Sequence, residues 1–479
     1  MAEYTMFIGG KWVPAESGET FPDLNPFSGE VYTDVAKGDV RDAGKALGAA
    51  FDARKVWAAT PPGERAKILF RASQILQSRL QEVAEVLIAE GGATFGKAMF
   101  ETTYTVDLLH TAGEDCKRLL GETFPSDSNK ISMTVFSPRG TVVAITPWNF
   151  PLLLSINKVA YALAAGNTVV LKPSSETPVI GLKIGEIFEQ AGLPPGVLNV
   201  VTGPGRVLGD ALIEDPRCSF VTLTGETGTG RHVAQRASTN LKEYTLELGG
   251  KDPLIILSDA DLDHAVNAAA FGSFMHQGQI CMAVERIIVQ EPIAEEFARR
   301  LAAKAETLTC GDPKLPTTVI GPLINDEAVL KVDAQVKEAV AKGAKLLAGG
   351  TFQGRVYKPT VLTQVTRDMS IFRDETFGPT APILVVKNEV EALEAANDSE
   401  YGLSAGVITN DLQKALFLAE GLASGMVHIN DASVYDEPFC PFGGCKGSGQ
   451  GREGGRHSME AMSELKWLTI QKGKRHYPF

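Results

Sequence analysis

The pattern of apolar positions changes period twice in the first half of the chain. Between residues 39 and 90, apolar side chains recur every three or four positions, which predicts helices that are interrupted at Pro61-Pro62-Gly63. Residues 140–145 form a nearly continuous apolar, β-branched run, which predicts a buried strand. Short apolar strands and amphipathic helices then alternate to residue 237. This alternation predicts a parallel sheet that is covered by helices on both faces.

A second alternation of strands and helices begins at residue 253 and extends to a strand near 425–430. Before the first alternation, residues 5–40 are expected to form short strands and turns. At the C-terminus, residues 465–470 predict a strand without a local partner, and such a strand is expected to pair with another subunit. The chain is therefore predicted to have an α/β fold with two α/β units.

Composition narrows the class of protein. The chain has 479 residues, of which 44% are hydrophobic and 22% charged, and its net charge is −12. These values are ordinary for a globular protein, and the acidic balance argues against nucleic acid and anionic membranes as partners. No apolar run approaches the ~18 residues of a membrane-spanning helix, and no signal peptide is recognisable. We therefore expect a cytoplasmic protein.

The six cysteines show neither a disulfide framework nor zinc-ligand spacing, so no metal site is expected. Two glycine-rich turns, at 203–209 and 225–230, follow predicted strands and precede predicted helices. Backbone amides at a helix N-terminus bind phosphates, but neither turn matches the strict dinucleotide fingerprint. Ordinary tight turns remain an equal interpretation of both stretches.

Four residues have the chemistry of a thiol-based active site. Asn149 lies between two prolines just after the strand at 140–145, and Glu247 and Glu375 each precede a flexible Gly-containing turn. Each of these residues alone is more commonly a turn or surface residue. Together with Cys281 they supply a nucleophile, an oxyanion donor and a general base.

Five segments carry a resemblance to a known family. The chain resembles the NAD(P)-dependent aldehyde dehydrogenase superfamily in Pro-Trp-Asn-Phe-Pro at 147–151, Glu-Leu-Gly-Gly-Lys at 247–251, Gly-Gln-Ile-Cys at 278–281, Glu-Thr-Phe-Gly-Pro at 375–379 and Pro-Phe-Gly-Gly-Cys-Lys-Gly-Ser-Gly at 441–449. The resemblance implies a Rossmann-like cofactor domain (1–122 and 142–246), an α/β catalytic domain (247–447) and a small β oligomerisation element (123–141 and 448–479). It also implies a homodimer or homotetramer that assembles through the C-terminal strand.

The same resemblance implies roles for individual residues. Cys281 would attack the aldehyde, Asn149 would stabilise the oxyanion, and Glu247 would activate the water that hydrolyses the thioester. The residues that the resemblance assigns to the cofactor are Thr146, Trp148, Lys172, Ser175, Gly205, Gly209, Gly225, Glu226, Glu375 and Phe377.

Two positions depart from the pattern of many relatives. Ser175 occupies a position where NAD-preferring relatives often have a glutamate, and Glu176 follows it. A hydroxyl does not repel a 2′-phosphate as a carboxylate does, so NADP is expected to be tolerated beside NAD. Glu226 occupies a position where relatives often have serine. We therefore expect only its backbone to contact the pyrophosphate.

The segment 274–282 is most similar to the branch that oxidises aromatic aldehydes such as vanillin, benzaldehyde or salicylaldehyde. The candidate pocket residues Phe150, Leu154, Met282 and Tyr435 suit a ring, and the Tyr435 hydroxyl is expected to reach a ring hydroxyl. Semialdehydes and aliphatic aldehydes remain alternative substrates. A cofactor-free thiol esterase and a non-catalytic homologue are alternatives of a different class.

Overall fold

A computed structural model describes residues 4–479 of the chain. The elements of its first half are, in chain order, β1 (Met6–Ile8), β2 (Lys11–Val13), β3 (Thr20–Leu24), β4 (Val31–Ala36), α1 (Val40–Ala59), α2 (Pro62–Ser78), α3 (Leu80–Gly91), α4 (Phe95–Asp115), β5 (Thr123–Phe124), β6 (Lys130–Pro138), β7 (Thr141–Ile145), α5 (Pro151–Ala164), β8 (Thr168–Lys172), α6 (Pro178–Gln190), β9 (Leu198–Val200), α7 (Gly205–Glu214), β10 (Phe220–Thr224), α8 (Thr227–Thr239) and β11 (Glu243–Glu247).

The second half continues with a further series of strands and helices. They are β12 (Asp252–Ile256), α9 (Leu262–Phe274), β13 (Val284–Gln290), α10 (Glu291–Glu306), α11 (Asp326–Ala341), β14 (Lys345–Ala348), β15 (Phe352–Gln353), β16 (Val356–Tyr357), β17 (Thr360–Thr363), α12 (Ser370–Arg373), β18 (Thr380–Val386), α13 (Glu389–Asn397), β19 (Gly406–Ile408), α14 (Leu412–Gly421), β20 (His428–Ile429), β21 (Gly449–Gln450), α15 (Gly455–Ala461) and β22 (Ser463–Gln471). Within residues 4–479, no helix is long and apolar enough to cross a membrane.

The first sheet has eight strands in the order β2-β1-β9-β8-β7-β10-β11-β21. Its five central strands are parallel, and β1, β2 and β21 flank them in antiparallel pairs. The chain order reverses at β7, between β8 and β10. In open α/β sheets, ligands bind in the crevice at the carboxyl ends of the strands beside such a reversal.

The second sheet has seven strands in the order β14-β17-β18-β13-β12-β19-β20, and all but β14 run parallel. Helices α9 and α10 bury one face of this sheet, and α13 and α14 contribute to the apolar cluster on the other face. The predicted α/β class with two α/β units is confirmed.

Helix α5 has no counterpart among the sequence predictions. Every residue of this helix is buried, because it lies between the first sheet and the helices α2, α4 and α6. A helix that is buried on all sides shows no amphipathic period, so the pattern of apolar positions cannot reveal it.

The C-terminal strand pairs within its own chain. β22 runs antiparallel to β6 from Ser463 to Gln471, and β5 lies on the other side of β6. The strand has no local partner, as the sequence predicted, and its partner is a distant strand of the same chain. β6 lies more than 300 residues earlier, and only the family resemblance placed the two segments in one element. The preceding residues belong elsewhere: β21 is an edge of the first sheet, and α15 packs on α5.

Candidate active site

The predicted site residues converge where the two sheets face each other. Thr146, Lys172, Gly225 and Glu247 lie at or just beyond the carboxyl ends of β7, β8, β10 and β11. Cys281 and Glu375 lie in the loops that lead into β13 and β18, at the amino ends of the second sheet. The carboxyl edge of one sheet therefore meets the amino edge of the other.

Two cavities open at this junction. The first, which we call the cofactor cleft, has a volume of about 520 Å³. It is lined by nine of the ten predicted cofactor residues, namely Thr146, Trp148, Lys172, Ser175, Gly205, Gly225, Glu226, Glu375 and Phe377. The tenth, Gly209, lies further along α7 and does not line the cleft.

The second cavity, which we call the substrate cavity, has a volume of about 380 Å³. All four predicted pocket residues line it: Phe150, Leu154, Met282 and Tyr435. Cys281 and Asn149 line both cavities. A thiol at this position can therefore contact ligands in both cavities at once.

The loop before Cys281 has an unusual backbone. His276, Gln277 and Gly278 have φ values of 49°, 58° and 72°, so three successive residues are in the left-handed region. A Cβ on Gly278 would also lie 2.2 Å from the carbonyl oxygen of Gly378. Non-glycine residues in this region cost free energy and occur where a function fixes the backbone. The tight loop delivers the thiol to the junction of the cavities.

The Cys281 thiol is held in its neutral form in the free protein. Burial raises its pKa, and the negative charges of Asp252, Glu247 and Glu375 raise it further. A thiol must lose its proton to attack a carbonyl carbon. Proton removal must therefore accompany the reaction, and Glu247 is one of the carboxylates whose charge reaches the sulfur.

Asn149 is fixed from both sides. Its side-chain Nδ2 donates to the carbonyl oxygen of Gln279 at 3.0 Å, which ties it to the loop of Cys281. Its own carbonyl accepts from the Lys97 ammonium at 2.7 Å, and Lys97 pairs with Glu101. Glu101 in turn accepts from two backbone amides, those of Leu152 and Leu153, at the N-terminus of α5. The amide keeps one N–H for a ligand.

Glu247 lies behind the thiol and lines neither cavity. It is buried, and neither carboxylate oxygen has a hydrogen-bond partner within residues 4–479. Burial raises its pKa well above the usual range, the charge of Glu453 adds to this, and the charge of Lys158 opposes it. Lys158 and Glu453 form a buried ion pair beside it. An unpartnered carboxylate with a raised pKa is suited to take a proton from water.

The cofactor cleft has groups that fit a dinucleotide. The N-terminus of α8 has no side-chain cap, so its amides are free for a pyrophosphate. Lys172 is buried at the cleft, and burial lowers its pKa to about 8. Glu375 accepts from the amide of Gly250 at 3.0 Å, and burial raises its pKa to about 7. The Lys172 ammonium and the Glu375 carboxylate are therefore placed to form hydrogen bonds with the ribose hydroxyls of a dinucleotide.

Three exposed or half-buried residues of the cleft bear on cofactor choice. The Ser175 hydroxyl donates to the carbonyl of Gly203 at 3.0 Å, and its exposed neighbour Glu176 also lines the cleft. Glu226 is exposed and its side chain makes no capping hydrogen bond at α8. A carboxylate and a hydroxyl therefore lie side by side at this wall.

The Tyr435 hydroxyl is not free for a ring hydroxyl. It donates to Glu437 at 2.6 Å, and the side chain is 46% exposed at the mouth of the cavity. Sequence reasoning missed several other residues that line the substrate cavity, including Phe100, Tyr104, Leu153, Asn157, Phe271, Met275, Val434, Asp436 and Phe442. Phe150, Leu153, Leu154 and Asn157 share one face of α5, but the sequence pattern did not reveal this helix and so did not reveal the cavity wall.

Comparison with known proteins identifies the family. A family model described as "Aldehyde dehydrogenase family" matches residues 12–468, so the chain belongs to the aldehyde dehydrogenase family. The protein is an oxidoreductase that converts an aldehyde to its carboxylic acid with NAD(P) as cofactor. The resemblance stated from the sequence motifs is confirmed, as are the fold and the class of reaction.

Similar proteins extend over the whole chain. The chain is 42% identical to a vanillin dehydrogenase of Pseudomonas fluorescens over 100% of both chains. It is 41% identical to a benzaldehyde dehydrogenase [NAD(+)] of Pseudomonas putida, over 99% of this chain and 98% of the other. Among solved structures, a salicylaldehyde dehydrogenase from Pseudomonas putida G7, complexed with salicylaldehyde, matches with a TM-score of 0.97, 40% identity and 99% coverage of each chain.

Proposed function

We propose that this enzyme oxidises aromatic aldehydes, with Cys281 as nucleophile, Asn149 as oxyanion donor and Glu247 as general base. The observation that carries the proposal is the substrate cavity, whose walls are mainly apolar and aromatic and which reaches the thiol of Cys281. Planar rings pack well against such walls. The similarity to vanillin, benzaldehyde and salicylaldehyde dehydrogenases supports the same substrate class.

In the first step, the sulfur of Cys281 attacks the aldehyde carbon while the thiol proton passes to a water molecule. The carbonyl oxygen becomes an oxyanion, which the free N–H of the Asn149 amide and the backbone N–H of Cys281 stabilise. One such donor is worth about 3 kcal/mol of transition-state stabilisation. Gln279 keeps the amide of Asn149 oriented for this contact.

A nicotinamide cofactor held in the cofactor cleft would supply the hydride acceptor, and Cys281 would then carry the acyl group as a thioester. Glu247 then removes a proton from water as the water attacks the thioester carbon. The C–S bond breaks, the thiol is restored and the carboxylic acid leaves. The neighbouring Lys158–Glu453 pair sets the charge around this base.

The geometry also bears on the competing substrates. A semialdehyde that carries a carboxylate would need a cation in its pocket, and the described residues that line the substrate cavity include no lysine or arginine. Aliphatic aldehydes would leave much of the aromatic wall without a partner. A cofactor-free esterase would not need the cofactor cleft that opens at the same cysteine.

Absorbance at 340 nm with a panel of aldehydes tests the proposal. We expect reduced cofactor to form with benzaldehyde derivatives at a kcat/KM at least about tenfold above that for hexanal or succinate semialdehyde, roughly 1.4 kcal/mol. Cys281→Ala should abolish the reaction, whereas Cys310→Ala, a half-buried thiol elsewhere, should retain it. Aldehyde oxidation by Cys281→Ala at the wild-type rate would overturn the mechanism, and equal rates with all aldehydes would overturn the substrate class.

We further propose that NADP is accepted beside NAD because Ser175 places a hydroxyl at the cleft wall. Lys172, buried at the same cleft, favours an additional phosphate. Ser175→Glu should lower the NADP to NAD ratio of kcat/KM about tenfold, because a second carboxylate repels the 2′-phosphate. A wild-type kcat/KM for NADP more than a thousandfold below that for NAD would contradict this proposal.

The proposed assembly is a homodimer or homotetramer whose contacts involve the small sheet of β5, β6 and β22. The expected cofactor domain (1–122 and 142–246), catalytic domain (247–447) and oligomerisation element remain proposals. Support comes from β22, which is an edge strand with large apolar side chains exposed on both faces. Such an edge favours pairing with another chain.

A further inference from the structure

One wall of the substrate cavity ends in polar groups. Phe150, Leu153, Leu154 and Asn157 share the face of α5 that lines the cavity, at the spacing of successive helical turns. The first three are apolar and lie near the catalytic end. Asn157 places an amide at the far end of this apolar face.

The Asn157 side chain lacks a partner. The residue is only 7% exposed, and its Oδ1 has no hydrogen-bond partner within residues 4–479. Leaving a buried carbonyl oxygen without a partner is energetically unfavourable, so such groups usually bind a ligand or water. Asn157 lines the cavity, so a rotation of its terminal amide group would present Oδ1 to a ligand there.

A second polar group lines the same cavity. The Tyr104 hydroxyl donates to Asp436 Oδ2 at 2.9 Å, and both residues line the substrate cavity. Burial raises the pKa of Asp436 to about 6, so at neutral pH its carboxylate is mainly ionised. A carboxylate has several acceptor positions, so it can accept a further hydrogen bond besides the one from Tyr104.

The rise along α5 gives the approximate length of this cavity wall. From Pro151 at the start of α5 to Asn157, the rise is about 9 Å at about 1.5 Å per residue. In a benzaldehyde with a para hydroxyl, the two oxygens are roughly 6–7 Å apart, and a hydrogen bond adds about 3 Å. An ortho hydroxyl lies only about 3 Å from the aldehyde oxygen and falls short, even with a hydrogen bond of about 3 Å.

We propose that Asn157 and the Tyr104–Asp436 pair recognise a hydroxyl on the aromatic ring opposite the aldehyde group. The ring hydroxyl donates to Asn157 Oδ1 or to the Asp436 carboxylate while the aldehyde oxygen occupies the oxyanion site at Asn149. This inference rests on the proposed oxidation of aromatic aldehydes and specifies the substrate within that class. It replaces Tyr435, whose hydroxyl is already engaged with Glu437.

A cationic aldehyde is the competing ligand, because the ionised Asp436 carboxylate could also match a positive charge. Asp436 already accepts the Tyr104 hydroxyl, and Asp431, the other acidic residue of the cavity wall, is exposed. A cation would need to be matched by ionised carboxylates inside the cavity. A phenolic hydroxyl needs only acceptors, which Asn157 and Asp436 supply.

Steady-state kinetics of the full-length enzyme with NAD test the inference. The substrates are benzaldehyde, 2-hydroxybenzaldehyde, 4-hydroxybenzaldehyde and the cationic 4-(trimethylammonio)butanal. We expect the wild type to oxidise 4-hydroxybenzaldehyde with a kcat/KM about tenfold above those for benzaldehyde and the 2-hydroxy isomer. Asn157→Leu should lower the ratio of kcat/KM for 4-hydroxybenzaldehyde over benzaldehyde about tenfold, mainly through KM.

Two further variants make the result decisive. Asp436→Asn, a loop substitution that does not depend on α5 packing, should lower the same ratio because it removes the charged acceptor. Asn240→Leu, the same exchange as Asn157→Leu at an exposed site beyond α8, should leave the ratio as in wild type.

Four outcomes are distinguishable. If ring aldehydes are oxidised but the ratio of kcat/KM for 4-hydroxybenzaldehyde over benzaldehyde is the same in the wild type and the variants, this inference is overturned. The proposed function then remains intact. A preference for the cationic aldehyde over all benzaldehydes would overturn both, and so would the absence of oxidation of any ring aldehyde. A ratio that falls in Asn157→Leu and Asp436→Asn, but not in Asn240→Leu, supports the inference.

Discussion

At the scale of single residues, the two reacting groups are both kept neutral by burial. Burial raises the pKa of the Cys281 thiol and the pKa of the Glu247 carboxyl, and ionisation of Glu247 would raise the pKa of the thiol further. A neutral thiol is a weak nucleophile, so the free enzyme is protected from unwanted modification. Deacylation, by contrast, requires ionised Glu247. The rate of that step should therefore rise with pH through the pKa of Glu247.

Substituting Glu247→Gln should separate the two half-reactions. The variant should release a burst of about one reduced cofactor per active site and then turn over at least about 100-fold more slowly than wild type, because general-base catalysis typically contributes that much. Its slow phase should lose the rise with pH that the wild type shows. Stopped-flow absorbance at 340 nm between pH 6 and 9 measures both phases. A slow first turnover without a burst would assign Glu247 to the attack step instead.

The sequence was informative for residues that belong to short motifs. Asn149, Glu247, Cys281 and Glu375 were each predicted because they lie beside glycine or proline in a recognisable order. Asn157 was not predicted, since nothing around it distinguishes an amide that lines a cavity from one that faces solvent. The left-handed backbone at His276 and Gln277 was equally hidden, because a single histidine is too common to mark this conformation and glutamine rarely adopts it.

At the scale of elements, helix α4 fixes the start of α5. Lys97 and Glu101 lie one turn apart on α4, and together they hold the carbonyl of Asn149 and the first amides of α5. Both side chains are buried, and the positive charge of Lys97 is compensated by the negative charge of Glu101. The oxyanion donor is thereby positioned by a neighbouring helix as well as by its own loop.

Breaking this ion pair should affect stability and catalysis differently. Lys97→Met leaves the Glu101 charge buried without its partner, so we expect a loss of about 3–5 kcal/mol in the free energy of unfolding. The double variant Lys97→Met/Glu101→Gln should regain much of that stability. Its kcat should stay about tenfold or more below wild type, because the carbonyl of Asn149 is still not held. Urea denaturation and kcat measure the two effects.

A result in which activity recovers together with stability would show that the pair is purely structural. Lys67→Met provides the matched control. Lys67 forms an exposed pair with Glu64 on α2, and exposed pairs contribute about 0–1 kcal/mol. Neither stability nor kcat should change appreciably in that variant.

Most elements of the first half were predicted, whereas several of the second half, including helix α11, were not. The strands of the first sheet and the helices between them follow periods that the sequence displays. Helix α5 is buried on all sides, with Ser155, Asn157 and Lys158 among its apolar residues, so its pattern does not show a separate polar face. The helix that is buried along its whole length was therefore among those that periodicity missed.

At the scale of the whole molecule, the class of fold followed from the sequence, but the arrangement of the two sheets did not. The short segment 248–251 carries the chain from β11 directly into β12, which brings the carboxyl edge of one sheet to the amino edge of the other. Only long-range pairing reveals this, as it reveals the partner of β22. Local patterns contain no information about contacts between residues hundreds of positions apart.

The exposed C-terminal strand leads to a prediction about assembly. Leu465 and Trp467 are 60% and 69% exposed, on a sheet of three strands with β22 at its edge. Burying a large apolar side chain contributes about 1.5–3 kcal/mol, so these two residues should contribute substantially to an interface. Replacing both in Leu465→Glu/Trp467→Asp should raise the dissociation constant of the assembly at least about 100-fold.

Size-exclusion chromatography with light scattering distinguishes the assembled form from a 51.2 kDa monomer. Deleting the residues after Glu464 should give the same monomer, because it removes the strand altogether. Lys466→Asp, which changes the exposed residue between the two substituted positions, controls for added charge and should retain the wild-type size. A wild type that is itself monomeric, or a Leu465→Glu/Trp467→Asp variant of unchanged size, would contradict the proposed role of β22 and move the interface elsewhere.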